Sequence, residues 1–155
     1  MDIRIATKHD ASGIAQVLVS FLNIKTQEEA EQTFLQEMEK HHRYLIAVDN
    51  GQIIGLVSWV MHGRPKHGLY ELYHIGLLPQ YFGTGVAQQL YTSMEVDAQA
   101  FFESHGSKAR KLIIMTHDTN ARAHRFYEKM GAKKEAVLPR HYYDDKDEHV
   151  FSKYY

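Results

Sequence analysis

Ile3 and Ile5 alternate with charged neighbours at the start of the chain, the two-residue period of a short strand. The period then lengthens. Ile14, Val17, Leu18, Phe21 and Leu22 recur at three- and four-residue spacings, which predicts an amphipathic helix capped by Asp10 or Ser12. Thr26-Gln27-Glu28-Glu29 has the form of a capping box and opens a second helix with Phe34, Leu35 and Met38 on its apolar side. Tyr44 to Val48 and Ile53 to Val60 are predicted strands. They are joined through Asp49-Asn50-Gly51, because Asn-Gly tolerates the positive backbone angles of a tight hairpin. A loop from His62 to Gly68, rich in turn and basic residues, leads into a fourth strand from Leu69 to Leu78. Ala87, Leu90, Tyr91, Met94, Ala98, Phe101 and Phe102 then trace one buried stripe along a third helix.

After Gly106 the unbroken apolar run Leu112-Ile113-Ile114-Met115 predicts a strand covered on both faces. A short fourth helix from Asn120 to Met130 ends at Gly131, a residue suited to a left-handed C-cap. Val137-Leu138 and Val150-Phe151 mark two closing strands around the acidic turn Asp144-Asp145-Lys146-Asp147-Glu148. No linker, repeat or low-complexity tract interrupts residues 1–155, so one domain is expected. Its class is α+β, with helices on both faces of a mixed, mostly antiparallel sheet. The strand, glycine turn, helix, strand segment requires a parallel pair within it.

The composition narrows the functional classes. With 44% apolar and 24% charged residues, the 155-residue chain is ordinary for a globular domain. A formal charge of -1 gives no basic footprint for nucleic acid and no polybasic membrane patch. The absence of cysteine removes disulfides, a thiol nucleophile and thiolate metal sites. The first residues lack the apolar core of a signal peptide, and no apolar run approaches a membrane span, so a cytoplasmic location is expected. The 11 histidines follow no ligand spacing such as HExxH, and no metal is expected.

The chemistry is concentrated in two stretches. The first, Leu77-Leu78-Pro79-Gln80-Tyr81-Phe82-Gly83-Thr84-Gly85-Val86-Ala87, runs from a strand through a glycine turn into a helix. Glycines let main-chain N–H groups approach an anion, and the helix adds its unpaired first-turn N–H groups and the positive end of its dipole. Gln88 stands where a dinucleotide fingerprint needs its last glycine or alanine, and no Lys-Ser or Lys-Thr follows to make a nucleotide-triphosphate loop. The second stretch is Asn120-Ala121-Arg122-Ala123-His124-Arg125-Phe126-Tyr127, followed by Glu128-Lys129-Met130-Gly131-Ala132.

Together, in this order and with a buried strand between them, these stretches resemble the two signatures of the GNAT acetyltransferase superfamily. Phe82-Gly83-Thr84-Gly85-Val86-Ala87 matches the acetyl-CoA loop, with Phe82 in place of its usual glutamine or arginine. The resemblance implies a central parallel strand pair splayed apart beside a bound pantetheine arm. It also implies acetyl-CoA as cosubstrate, held by Ile75, Gly76, Leu77, Gly83, Thr84, Gly85, Val86, Ala87, Gln88, Asn120 and Tyr127. On this reading the main-chain N–H of Ile75 polarises the thioester carbonyl, and Tyr127 donates the proton that the departing thiolate needs. A phenol pKa near ~10 suits that transfer. Gly76 is read either as a close backbone approach or as a packing glycine.

Glu71 is expected to act as general base, because it matches the base glutamate of the histone-acetyltransferase branch and precedes Ile75 by four residues on the same strand face. A substrate-orienting or solvated charge is the other reading of Glu71. The ribosomal-protein branch places its glutamate five residues before the motif asparagine, where this chain has Met115. Tyr73, Tyr142 and Tyr143 are candidate walls of the acceptor site, and His117 is an alternate base or a polar strand end. Trp59 is read as core, and Asp144, Asp145, Asp147 and Glu148 as an acidic rim or a solvated turn. The implied activity is direct transfer of acetyl from acetyl-CoA to a primary amine, expected to be a small molecule. The alternatives are a protein N-terminus or lysine as acceptor, or an acyl-CoA-binding module without chemistry. Either a monomer or a homodimer fits the sequence.

Overall fold

The computed structural model describes all 155 residues. The strands are β1 (Asp2–Ile5), β2 (Arg43–Asp49), β3 (Gln52–His62), β4 (Leu69–Leu77), β5 (Lys111–His117), β6 (Lys133–Tyr143) and β7 (Lys146–Tyr154). The helices are α1 (Ala11–Phe21), α2 (Gln27–Glu39), α3 (Val86–Ser104) and α4 (Ala121–Lys129). The strands form a seven-stranded sheet in the order β1-β2-β3-β4-β5-β7-β6. The β1–β2, β2–β3, β5–β7 and β6–β7 pairs are antiparallel, while β4–β5 is parallel, so the expected mixed fold class is observed.

The chain divides into two compact units, Met1–Val60 with His74–Ala100, and Met61–Tyr73 with Phe101–Tyr155. In the first, Ile14, Ala15, Val17 and Leu18 of α1 and Ala30 and Phe34 of α2 are buried with Tyr44, Ile46 and Leu56 of the sheet. Thr26 caps α2, accepting from the Glu29 N–H at 3.1 Å. Asp10 precedes α1 without capping it. Its carboxylate accepts instead from Arg4 at 2.8 and 2.9 Å and from the Thr7 N–H at 2.8 Å. On the other side of β2 and β3, Asp97 of α3 accepts from Arg43 at 2.6 and 2.8 Å and from the Trp59 indole at 2.8 Å. Trp59 is therefore core, as expected, with its N–H satisfied.

In the second unit, Leu112, Ile114 and Phe151 are buried, and the Tyr127 ring of α4 lies 6.2 Å from that of Phe151. Tyr70 packs against Phe102 near the end of α3, with ring centroids 6.1 Å apart. Asp144 and Asp145 form the turn between β6 and β7, while Asp147 Oδ1 accepts from the Arg140 N–H at 2.9 Å. Arg140 has φ +45°, and the β6–β7 register shifts between Leu138 and Tyr143, so the end of this hairpin is bulged.

Within the first unit, His74 meets Glu37 of α2 and Tyr44, while Leu77 Cδ2 and Leu90 Cδ1 crowd the Cβ position of Gly55.

Candidate active site

The glycine turn is built as a phosphate cradle would be. Residues Pro79–Tyr81 form a short 3-10 turn, closed by the Phe82 N–H on Pro79 O at 3.1 Å and by the Thr84 hydroxyl on Tyr81 O at 2.5 Å. Gly83 and Gly85 take φ +75° and +86°, and no heavy atom lies within 4 Å of a Cβ placed on either. Their lack of a side chain therefore serves the backbone angle and leaves clear space above the turn. The first helical bond of α3 runs from the Gln89 N–H to Gly85 O at 3.2 Å. The N–H groups of Val86, Ala87 and Gln88 precede it and have no partner on the helical ladder. A depression of about 450 Å³ adjoins the turn, lined by Ile3, Gly85, Gln88, Gln89, Thr92 and Ser93.

β4 presents a second set of main-chain groups. The His74 N–H donates to Ser58 Oγ at 3.1 Å and the Leu78 N–H to Ile54 O at 2.8 Å, so these alternate amides face β3. Strand geometry then turns the N–H groups of Ile75 and Leu77 to the opposite edge. The parallel ladder with β5 pairs Leu69 with Lys111 through Leu72 with Ile114, and both strands run on beyond it. Gly76 has a packing reason for its identity: a Cβ there would stand 2.2 to 2.7 Å from the ring of Phe21.

The second signature lies in the other unit. Asn120 is the N-cap of α4, its Oδ1 accepting from the Ala123 N–H at 3.2 Å, and Gly131 follows the helix with φ +96°. Tyr127 is 7% exposed, and burial pushes its phenol well above the ordinary tyrosine range. Its hydroxyl thus stays protonated through any physiological pH, a weaker acid than the sequence suggested.

Glu71 is 4% exposed, which removes the solvated-charge reading. His62, expected in a loop, is the last residue of β3, with Nε2 3.6 Å from Glu71 Oε2. A second buried carboxylate, Glu148, is 3% exposed and touches His117 Nδ1 across the β5–β7 ladder. Glu71 is opposite in alternation to Tyr70, and His117 and Glu148 to Ile114 and Phe151, so all three share the sheet face away from α4. Burial first, then the charges of Glu71 and Glu148, push the Tyr142 phenol upward. Tyr143 lies edge-on to His117, with ring centroids 5.5 Å apart. Two buried carboxylates, each with an imidazole beside it, thus lie along one face of this unit's sheet, with Tyr143 against His117. The 44% exposed Tyr73 is near Glu71 in sequence.

Another polar group escaped the sequence reading. Glu37 accepts from His74 Nε2 at 2.9 Å and from the Tyr44 hydroxyl. Burial opposes ionisation of Glu37, but the hydrogen bonds and charge of its partners outweigh it and hold the carboxyl below the usual range. Nothing in the spacing of Glu37, Tyr44 and His74 signals this group, because it joins three separate elements. No set of three or more histidine, aspartate or glutamate side chains is placed to hold a metal ion. No helix is long and apolar enough to cross a membrane.

A family model described as acetyltransferase (GNAT) family matches residues 8–132. Among solved structures, a protein of the GNAT family from Desulfovibrio desulfuricans is 21% identical with a TM-score of 0.81, covering 99% of this chain and 98% of that one. An aminoglycoside 6'-N-acetyltransferase complexed with coenzyme A is 15% identical with a TM-score of 0.83, covering 99% and 97%. A ribosomal-protein-alanine N-acetyltransferase from Brucella melitensis is 18% identical with a TM-score of 0.77, covering both chains fully at 100%. At these identities the likeness is one of fold. No curated protein matches the chain.

Proposed function

The chain belongs to the acetyltransferase (GNAT) family, and from that premise we propose that it transfers acetyl from acetyl-CoA directly to a primary amine of a small molecule. The observation that carries the cosubstrate is the turn at Gly83 and Gly85. Both glycines take left-handed angles with clear space above them, immediately before the unpaired amides of α3. A coenzyme A complex of one structural neighbour supports the same reading. Gly83, Thr84, Gly85, Val86, Ala87 and Gln88 would hold the diphosphate through main-chain N–H groups. The edge of β4 at Ile75, Gly76 and Leu77 would take the amide-bearing arm as an added strand. Asn120 would support the site as the cap that starts α4.

Acetyl-CoA supplies the thioester whose carbonyl carbon the amine attacks. In that reaction the Ile75 N–H would stabilise negative charge on the carbonyl oxygen, worth about 3 to 4 kcal/mol for a well-aimed donor. The Tyr127 hydroxyl would protonate the departing sulfur. Glu71, buried and beside His62, would take the proton of the incoming ammonium group. The face that Glu71 shares with Glu148, Tyr142 and Tyr143 supports a cationic acceptor. We further propose that residues 1–155 act as one cytoplasmic domain, as monomer or homodimer, which would melt in a single calorimetric transition.

The test is thiol release from acetyl-CoA against a panel of diamines, amino acids, aminoglycosides and peptides, with products identified by mass spectrometry. Release that depends on an amine supports the proposal. Coenzyme A binding with no release for any amine would leave a binding module. Release with peptides alone would assign the chain a protein acceptor.

A further inference from the structure

The acidic stretch Asp144 to Glu148 is sorted by the fold into residues with different tasks. Asp144 and Asp145 form the exposed turn, and Asp147 closes the hairpin on the Arg140 N–H at 2.9 Å. Glu148 alone is turned inward, 3% exposed. Its Oε1 lies against His117 Nδ1, the imidazole that partners it. A buried carboxylate is costly unless a charge or a donor meets it, and an imidazole near the surface is a partner that a cationic ligand can replace.

Glu148 also shares its setting with Glu71. Each has one half-exposed imidazole beside it, His117 for Glu148 and His62 for Glu71. Both act on the Tyr142 phenol, which they approach from different strands. Glu71 is level with Ile113 and, through it, with Ser152, whereas Glu148 is level with His117. Two strand spacings crosswise and four residues lengthwise put the two Cα atoms on the order of 16 Å apart on one sheet face. One ammonium group cannot serve both carboxylates at that separation.

We propose that Glu148 is a specificity-determining anchor for a second ammonium group, so that the acceptor is a diamine or longer polyamine with one nitrogen at Glu71 and another at Glu148. The proposal rests on the amine-acetylation reading and adds the substrate class to it. A charge-assisted contact of this kind separates a diamine from a monoamine of equal chain length. His117 would give up its contact with Glu148 to the incoming cation, and Tyr142 and Tyr143 would cover the methylene chain between the two ends.

The experiment compares hexamethylenediamine with hexylamine as acceptors for the wild-type chain and for E148Q, which conserves shape and removes the charge. The wild type should favour the diamine at least about tenfold in kcat/KM, the value of one charge-assisted contact. E148Q should lose most of that preference through a higher KM for the diamine. A wild type without preference, or a folded E148Q that keeps it, overturns the proposal. Calorimetric titration of the coenzyme A-loaded wild type with the same two amines separates the two readings. Tighter diamine binding without turnover upholds the anchor and defeats the reaction. Equal or absent binding of the two amines defeats the anchor, whether or not E148Q folds.

Discussion

Replacing Gly85 by glutamate tests the cradle with the least disturbance to the rest of the molecule. Gly85 has φ +86°, so any side chain incurs left-handed strain of about 1 to 2 kcal/mol. No heavy atom lies within 4 Å of the new Cβ, so no packing loss adds to it. The variant should therefore fold, with a modestly lowered melting temperature. Binding is affected very differently. A carboxylate about 5 Å from a doubly charged diphosphate is opposed by about 1.7 kcal/mol even at the dielectric of water, and by about four times that at an effective dielectric of 20. The smaller value already weakens binding more than tenfold. Gly85→Ala carries the same backbone strain without the charge and serves as the comparison. Calorimetric titration with coenzyme A, alongside a thermal melt, reads both effects. A folded Gly85→Glu chain whose affinity stays within twofold of wild type would place the phosphates elsewhere.

Three further outcomes are expected. Tyr127→Phe should lower turnover at least tenfold and leave acetyl-CoA affinity nearly intact, as read by thiol release and calorimetry; unchanged turnover would remove Tyr127 from the mechanism. Gly76→Ala forces a Cβ to within 2.3 Å of the Phe21 ring and should cost about 1 to 3 kcal/mol in chemical denaturation. Phe21→Ala in the same chain should recover part of that cost, and strict additivity of the two changes would deny the contact. Arg4 holds the Asp10 carboxyl down at about 2, below its unfolded value near ~4. Its stabilising contribution is present above that unfolded value and is lost as pH falls from about 4 toward 2. Asp10→Asn should flatten this part of the melting-temperature profile, and an unaltered profile would show that other groups set it.

The sequence carried most of the scaffold because its local signals agreed with one another. Asn50-Gly51 turned the hairpin, Thr26 capped α2, and Gly83 and Gly85 took the left-handed angles that only glycine adopts without strain. The setting of Glu71 was not legible: its burial beside His62, which ends β3 rather than lying in a loop, joins two strands that the sequence does not show to be neighbours. Glu148 is read from the sequence as one charge of an acidic rim or of a solvated turn. Only pairing with β5, which sets it opposite His117, turns it inward. Gly76 proved ambiguous because a packing glycine and a ligand-approach glycine have the same sequence signature. Here Phe21 fills the space beside it.

The central claim is that main-chain amides, not side chains, receive the cosubstrate. Backbone nuclear magnetic resonance of the isotope-labelled chain during titration with coenzyme A tests it most directly. The account predicts saturable shifts concentrated at the N–H groups of Gly83 to Gln88 and of Ile75. Saturation with those amides unmoved, and the shifts clustered at other positions, would contradict it.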